Sequence, residues 1–142
     1  MLTTSYHEIG FEHDARHKAA ERVMKGLTEY DRSVGLVFTG LSGILVGLPV
    51  ADLTQRQFAV VRKPNDSSHA CYLVEGYSFS EYVIVDDFMS SGDTIKRIID
   101  TMRERDGSVC KGILFYDNHR AGKGDTFKYK EQVIPIIPCV IE

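Results

Sequence analysis

The sequence predicts an α/β domain with a mostly parallel central sheet of about five strands, flanked by helices. Two observations support this prediction. Short apolar segments alternate with helix-length segments along the 142 residues, and the strand-like segments are apolar throughout. Strands of a parallel sheet are covered on both faces and therefore show such continuous apolar runs. No repeat or linker divides the chain, so residues 1–142 are predicted to form one domain.

The elements follow one another in a regular order. A first helix is predicted over residues 14–30 from its apolar face, a second at about 43–53, and a third from about Gly92 to a C-cap at Gly107. The strand-like segments are 34–39, 58–62, 71–75, 82–86, 109–116 and 133–137. Residues 63–69 and 117–126 are polar and are predicted as loops. Ligands of open parallel sheets bind beyond the carboxyl ends of the strands, so functional residues are expected there.

Composition excludes several classes of function. Hydrophobic residues make up 43% of the chain, charged residues 26%, and the net charge is −3. A dedicated nucleic-acid binder usually has a basic surplus, so no nucleic-acid partner is expected. No segment approaches the roughly 20 apolar residues of a membrane span, and no signal peptide is evident. We therefore expect a cytoplasmic location without a membrane partner.

The cysteines are predicted to be structural. Cys71, Cys110 and Cys139 are far apart in the sequence, and each lies in or beside an apolar segment. No two of them have the spacing of a zinc or redox pair. Buried free thiols are the expected state.

Acids and hydroxyls are concentrated in residues 82–94, YVIVDDFMSSGDT. The predicted strand ends in Asp86 and Asp87, and the next helix begins within the run Ser90, Ser91, Gly92, Asp93 and Thr94. A helix N-terminus offers free N–H groups, hydroxyls add donors, and glycine admits a close approach, which together suit a phosphate. The adjacent carboxylates suit sugar hydroxyls and Mg²⁺. An ordinary strand–turn–helix with a Ser/Asp capping box and solvated acids fits the same residues.

Residues 82–94 resemble the phosphoribosyl pyrophosphate motif of the type I phosphoribosyltransferases. They share its four apolar residues, two acids, two further residues and Ser/Thr-Gly-x-Thr turn, although Phe88 is larger than the usual aliphatic residue. The resemblance covers roughly residues 34–122 and is closest to the orotate and adenine branch. It implies a Rossmann-like type I phosphoribosyltransferase fold with the 5-phosphate on Ser90–Thr94. It also implies that Asp86 and Asp87 are catalytic, grip the ribose and hold Mg²⁺ through water.

Two upstream segments resemble the pyrophosphate site of the same family. Residues 39–51 stand where the family has its pyrophosphate loop, which implies that the N–H groups around Leu41, Ser42 and Gly43 face the pyrophosphate. The resemblance also implies a strained peptide, with cis as one alternative, between Leu41 and Ser42. Residues 58–64 resemble the family's Val-Arg-Lys strand end, which implies pyrophosphate contacts for Arg62 and Lys63.

The loop at residues 64–70 occupies the position of the family's catalytic lid, which in the orotate branch is used across a dimer. His69 matches the histidine of that lid. Ala70 stands where the lid has glycine, however, and no lysine lies between Pro64 and His69. This departure puts efficient turnover in doubt.

A site for the base is also implied by the resemblance. Residues 107–122 resemble the strand at which enzymes of the orotate branch recognise their base. Asp117 matches the family's aspartate, and Arg120, two residues after Asn118, is the candidate for contact with the base. Residues 1–30 and 123–142 are the segments available for a reduced hood over the base.

The resemblance implies an enzyme that transfers ribose 5-phosphate from phosphoribosyl pyrophosphate to a nitrogenous base, a pyrimidine such as orotate or a purine. Mg²⁺ is the implied cofactor and a homodimer the implied assembly. A non-catalytic sensor of phosphoribosyl pyrophosphate or of a nucleotide is the alternative, which the lid and the small hood favour. A structural module without a ligand would require the pattern at 82–94 to be accidental.

Overall fold

The computed structural model describes residues 1–4, 7–63, 73–117 and 124–139. Four helices lie within these residues: α1 (Glu8–Phe11), α2 (His13–Gly26), α3 (Gly40–Thr54) and α4 (Asp93–Asp106). The strands are β1 (Gly35–Phe38), β2 (Phe58–Val61), β3 (Val74–Gly76), β4 (Glu81–Asp86), β5 (Val109–Phe115), β6 (Thr126–Tyr129) and β7 (Gln132–Ile137). The described residues thus show the alternation of strands and helices that the sequence predicts.

The strands form one sheet in the order β3-β2-β1-β4-β5-β7-β6. Its centre is parallel, from β2 through β1, β4 and β5 to β7, and the edge strands β3 and β6 are antiparallel to their neighbours. The α/β class and the mostly parallel sheet are confirmed. The count of about five strands was too low, since the described residues contain seven.

The strand that sequence patterns missed is β6, which forms a hairpin with β7. Its turn consists of Lys130 and Glu131, which adopt the left-handed φ values of 45° and 66°. Such turns are usually signalled by Asn-Gly or Asp-Gly, and neither occurs here. Without that signal a strand of four residues was not expected at this place.

The core has two layers, one on each face of the sheet. Leu36, Phe38, Val83 and Val85 of β1 and β4 pack under α2 and α3, while the alternate residues of these strands pack under α4. Successive side chains of a strand point to opposite faces, so these fully buried strands supply both layers.

Close packing of α3 on β1 explains why two positions of α3 are glycine. A Cβ atom on Gly43 would lie 2.6 Å from Phe38 Cβ, and one on Gly47 would lie 2.6 Å from Phe38 Cε1. Since real Cβ atoms do not approach so closely, any side chain at either position would push α3 away from the sheet. The carboxyl end of β1 and the N-terminus of α3 are thereby fixed relative to each other.

The parallel strands β1, β2, β4 and β5 all end at the same edge of the sheet. The segments that follow them carry most of the residues singled out in the sequence. None of the helices in the described ranges combines the length and hydrophobicity that crossing a membrane requires.

Candidate active site

A cleft of about 480 Å³ lies at the carboxyl edge of the sheet. It is lined by residues that follow β1, β2 and β4, and by the first turns of α3 and α4. The residues predicted from sequence that it brings together are Leu41, Ser42, Lys63, Asp86, Asp87, Ser90, Ser91, Gly92 and Thr94. Parallel topology explains the convergence, because these residues are distant in sequence but share one edge of the sheet.

Main-chain hydrogen bonds hold the acid pair in place at the end of β4. The Tyr116 N–H donates to the Asp86 carbonyl at 3.1 Å, and the Asp117 N–H donates to the Asp87 carbonyl at 3.0 Å. The β4–β5 pairing therefore continues past the ends of both strands. As a result, the backbone of the pair is as fixed as the sheet itself.

The two carboxyl groups differ in their surroundings. Asp86 is only 7% exposed, and its Oδ1 accepts hydrogen bonds from the Ser42 hydroxyl at 3.1 Å and the Asp87 N–H at 2.9 Å. The Asp87 side chain is half-buried at the cleft, and its Oδ1 accepts from the Phe88 N–H at 2.8 Å. Asp86 is thus not the solvated acid that an ordinary strand–turn–helix would place here.

Burial raises the pKa of Asp86 to about 7, and the neighbouring Asp87 carboxylate contributes to the increase. Both effects disfavour the charged form of Asp86, because burial removes the water that would solvate the carboxylate and the Asp87 charge repels a second negative charge. The hydrogen bonds from the Asp87 N–H and the Ser42 hydroxyl oppose the shift. A cation or sugar hydroxyls at this position would compensate the cost of ionising the pair.

The turn into α4 places the first residues of the helix at the cleft. Gly92 is the N-cap, with φ 87° and ψ 0°, and it has no side chain that could occupy those groups. The Asp93 N–H donates to Ser91 Oγ at 3.3 Å, while the next two N–H groups lack intrahelical partners by helix geometry. The Ser90, Ser91 and Thr94 side chains are exposed around this turn. The arrangement offers several donors to an anion.

The helix α3 begins directly after β1, with Thr39 as N-cap. Leu41 and Ser42 lie in its first turn, and no cis peptide bond occurs in the described residues. The cis alternative for the Leu41–Ser42 peptide is therefore wrong. The Tyr116 hydroxyl donates to the Ser42 carbonyl, so β5 supports this turn as well as the acid pair.

Lys63 lies beside the start of α3. A Cβ atom on Gly40 would lie 3.4 Å from Lys63 Cε and 3.6 Å from its Nζ. The ammonium group therefore lies close to the N-terminus of α3, and both line the cleft. Both favour an anionic ligand.

Three predicted residues do not line this cleft. Gly43 is buried against Phe38, and Asp93 is exposed in the first turn of α4. The Arg62 side chain lies in a neighbouring groove, with its Nη1 3.6 Å from Glu75 Oε1. The candidates His69 and Arg120 lie outside the described residues.

Sequence reasoning missed Arg97, which lines the cleft from the second turn of α4. Its Nη1 donates to the Arg62 carbonyl at 2.8 Å, which ties α4 to the end of β2. Burial lowers the pKa of Arg97, and the Asp86 charge opposes that shift. Arg97 follows Thr94 by three residues and so lies on the same helix face, a spacing that would have identified it.

The arrangement fits a cation held through water rather than a closed protein site. Among the described residues, no group of three or more His, Cys, Asp or Glu side chains is placed to hold a metal. Asp86 and Asp87 supply carboxylate oxygens at the cleft, the ligand type that Mg²⁺ prefers. Mg²⁺ commonly combines one or two carboxylates with water and substrate phosphates, so these residues fit it.

A comparison with protein-family models decides the family. The model described as the phosphoribosyl transferase domain matches residues 35–137. The chain belongs to this family. The matched range includes the acid pair, the turn into α4 and the start of α3, and it confirms the type I phosphoribosyltransferase assignment and the pentosyltransferase class.

Solved phosphoribosyltransferases share the fold. Adenine phosphoribosyltransferase from Thermoanaerobacter pseudethanolicus superimposes with a TM-score of 0.60 at 21% identity, over 81% of this chain and 75% of that chain. Orotate phosphoribosyltransferase from Aeropyrum pernix gives 0.61 at 16% identity, over 80% and 64% of the two chains. The adenine enzyme from Trypanosoma brucei, solved with AMP, pyrophosphate and ribose-5-phosphate, gives 0.59 at 14% identity, over 75% and 53%. The chain thus spans under two thirds of the latter two. A comparison with curated protein sequences gives no match.

The raised pKa of Asp86 predicts a pH-dependent loss of stability in this phosphoribosyltransferase domain. The folded pKa is about 7 and the ordinary value 3.8, so the folded state binds the proton more tightly and stability falls as pH rises between these values. Asp86→Asn keeps an oxygen for the Ser42 hydroxyl but removes the buried charge. With a chelator present, we expect it to exceed the wild type in free energy of unfolding by about 1–3 kcal/mol at about pH 8 and by little at about pH 4.

Urea titrations at both pH values measure this difference. Asp125→Asn, at an exposed aspartate just before β6 and outside the cleft, makes the same chemical change and should show no such pH dependence. A constant difference between Asp86→Asn and the wild type across pH would contradict the prediction.

Proposed function

We propose that this phosphoribosyltransferase transfers ribose 5-phosphate from phosphoribosyl pyrophosphate to a nitrogenous base, a pyrimidine such as orotate or a purine. The bond from ribose C1 to the pyrophosphate oxygen breaks, and its electron pair leaves with pyrophosphate. A bond from C1 to a base nitrogen forms, and the proton of that nitrogen passes to the departing pyrophosphate or to water. The observation that carries the proposal is the meeting of two helix N-termini and an acid pair in one cleft. The similarity to adenine and orotate enzymes supports both classes of base.

Each part of the cleft has a distinct role in this proposal. The turn from Ser90 to Thr94 binds the 5-phosphate, and Asp86 and Asp87 accept hydrogen bonds from the ribose hydroxyls. As the pyrophosphate leaves, positive charge develops on the ribose ring, and the carboxylates are placed to stabilise it.

The pyrophosphate is assigned to the N-terminal turn of α3 and to Lys63. The N–H groups of Gly40, Leu41 and Ser42 are the ones without intrahelical partners by helix geometry. Gly43 instead allows close helix packing, and the Arg62 side chain pairs with Glu75. Lys63 lines the cleft and is proposed as the nearer cation, and Arg62 remains a proposal for the pyrophosphate.

Mg²⁺ is proposed as the cofactor, with Asp86 and Asp87 as its protein ligands, mainly through water. When bound, it would neutralise the charge of the departing pyrophosphate. Arg120 and His69 remain proposals for the base and the lid. A cytoplasmic location also remains a prediction.

Release of pyrophosphate from phosphoribosyl pyrophosphate, measured with and without Mg²⁺ against a panel of purine and pyrimidine bases, tests the function. Turnover with one base, with the nucleotide identified by mass spectrometry, would support the enzyme. Saturable binding of phosphoribosyl pyrophosphate without turnover would favour the sensor instead. Absence of binding would contradict both.

A homodimer is proposed from the outer face of α3. The helix has one charged residue, Asp52, in 15 positions, and Leu41 and Leu48 are exposed on it. A groove of about 790 Å³, lined by Leu41 and Ile44 of α3 and by residues of β2 and β3, lies beside the first turns of the helix. An exposed apolar face of this kind is typical of an interface.

Leu48→Glu is expected to shift the protein from dimer to monomer, because it places a charge in that apolar face. Sedimentation velocity measures the change against the chain mass of 16.0 kDa. Val133→Glu adds the same charge at an exposed residue of β7 and should leave the dimer intact. A wild-type monomer at concentrations of about 10–100 μM would contradict the proposal.

A further inference from the structure

The β6–β7 hairpin packs against the turn that begins α4. Phe127 of β6 is 9% exposed and belongs to the core layer under α4. A Cβ atom on Gly92 would lie 3.1 Å from Phe127 Cε2 and 3.4 Å from its Cζ. The aromatic ring thus lies directly against the glycine whose conformation opens the helix N-terminus to the cleft.

The same hairpin holds α4 at a second place, two turns further along. The Tyr129 hydroxyl donates to Asp100 Oδ2 at 2.7 Å, and Lys130 Nζ donates to Asp100 Oδ1 at 3.0 Å. The Lys96 ammonium lies 5.7 Å from the centre of the Tyr129 ring. This second attachment lies in the middle of α4, two turns away from the N-terminal turn at Gly92.

We propose that Phe127 is a positioning residue for the 5-phosphate, acting through Gly92. This inference rests on the proposed role of the turn from Ser90 to Thr94. Phe127 does not line the cleft, so it touches neither substrate nor cofactor. Its ring supports the back of the turn and keeps the free N–H groups of α4 directed at the same point.

The proposal predicts a selective effect on one of the two anion sites. The pyrophosphate site is built from the start of α3 and Lys63, and Phe127 packs on the opposite face of the sheet from α3. Loss of the ring would therefore loosen the 5-phosphate turn and leave the pyrophosphate site unchanged. A general loss of structure would weaken both.

Isothermal titration calorimetry with ribose 5-phosphate, and separately with magnesium pyrophosphate, tests the proposal. Phe127→Ala is expected to raise the Kd for ribose 5-phosphate about threefold to tenfold, or about 0.7–1.4 kcal/mol, with the pyrophosphate Kd unchanged. Phe127→Leu keeps most of the apolar volume and should give a smaller change of the same kind. In turnover, KM for phosphoribosyl pyrophosphate should rise while kcat stays within about twofold.

Tyr129→Phe is the matched control, because it removes the hydroxyl bonded to Asp100 and leaves Phe127 in place. It should lower Tm without moving either Kd. Wild-type ribose 5-phosphate affinity in Phe127→Ala, or an equal loss for both ligands, would overturn the inference. If Phe127→Ala does not fold, the same two Kd values are measured for Phe127→Leu, and the same outcomes support or overturn the inference. A wild-type protein that binds neither ligand would instead refute the proposed function.

Discussion

Replacing Asp87 with asparagine is expected to reduce kcat at least tenfold, a loss of about 1.4 kcal/mol or more in transition-state stabilisation. The Asp87 side chain lines the cleft, and its backbone is fixed by the Asp117 N–H. Asparagine has nearly the same shape and retains an oxygen for the Phe88 N–H, which donates to Asp87 at 2.8 Å. What it loses is the negative charge that would stabilise a cation-like ribose ring.

Steady-state kinetics measures this effect, with thermal unfolding to show that the fold is retained. Asp125→Asn serves again as the control, since it makes the same change at an exposed position outside the cleft. Wild-type rates in Asp87→Asn would remove this residue from the mechanism.

Gly92→Ala is expected to raise the Kd for ribose 5-phosphate about tenfold to a hundredfold, or about 1.4–2.8 kcal/mol. Gly92 has φ 87°, a conformation that residues with a side chain adopt only at a cost of about 1–2 kcal/mol. The added Cβ would also lie 3.1 Å from the Phe127 ring, which is closer than ordinary van der Waals contact. Either the turn or the hairpin must shift, and the N–H groups that face the phosphate shift with the turn.

Gly107→Ala separates backbone strain from the effect on the site. Gly107 caps the other end of α4 with φ 67°, and nothing lies within 4 Å of where its Cβ would be. The Gly107→Ala substitution should lower the free energy of unfolding by about 1 kcal/mol and leave the ribose 5-phosphate Kd unchanged. Equal affinities for Gly92→Ala and the wild type would contradict the assignment of this turn to the phosphate.

Much of the fold follows from local patterns. The apolar runs at 34–39, 58–62, 82–86 and 109–116 correspond to the central parallel strands β1, β2, β4 and β5. Gly92 and Gly107 mark the two ends of α4 as predicted. These patterns can be recognised in a sequence because a strand buried on both faces and a capped helix each require particular residue types at particular positions.

The failures have identifiable causes. The β6 strand was missed because its hairpin turn uses Lys130 and Glu131. Gly43 was assigned to the pyrophosphate loop and Gly47 to the following helix, and neither pattern indicated that the close packing of α3 on Phe38 requires both glycines. A glycine indicates either that a side chain would not fit at that position or that the backbone needs an unusual φ. The sequence does not distinguish these two causes.

The sequence by itself determined which residue types could hold a sugar phosphate, because the acid pair, the hydroxyls and Gly92 lie in one short segment whose local backbone they dictate. Only the tertiary structure decided what surrounds them. Burial of Asp86, the approach of Ser42, and the Phe127 ring behind Gly92 all come from distant segments. Strand order and packing set these contacts, and they arise from the whole core rather than from any local pattern.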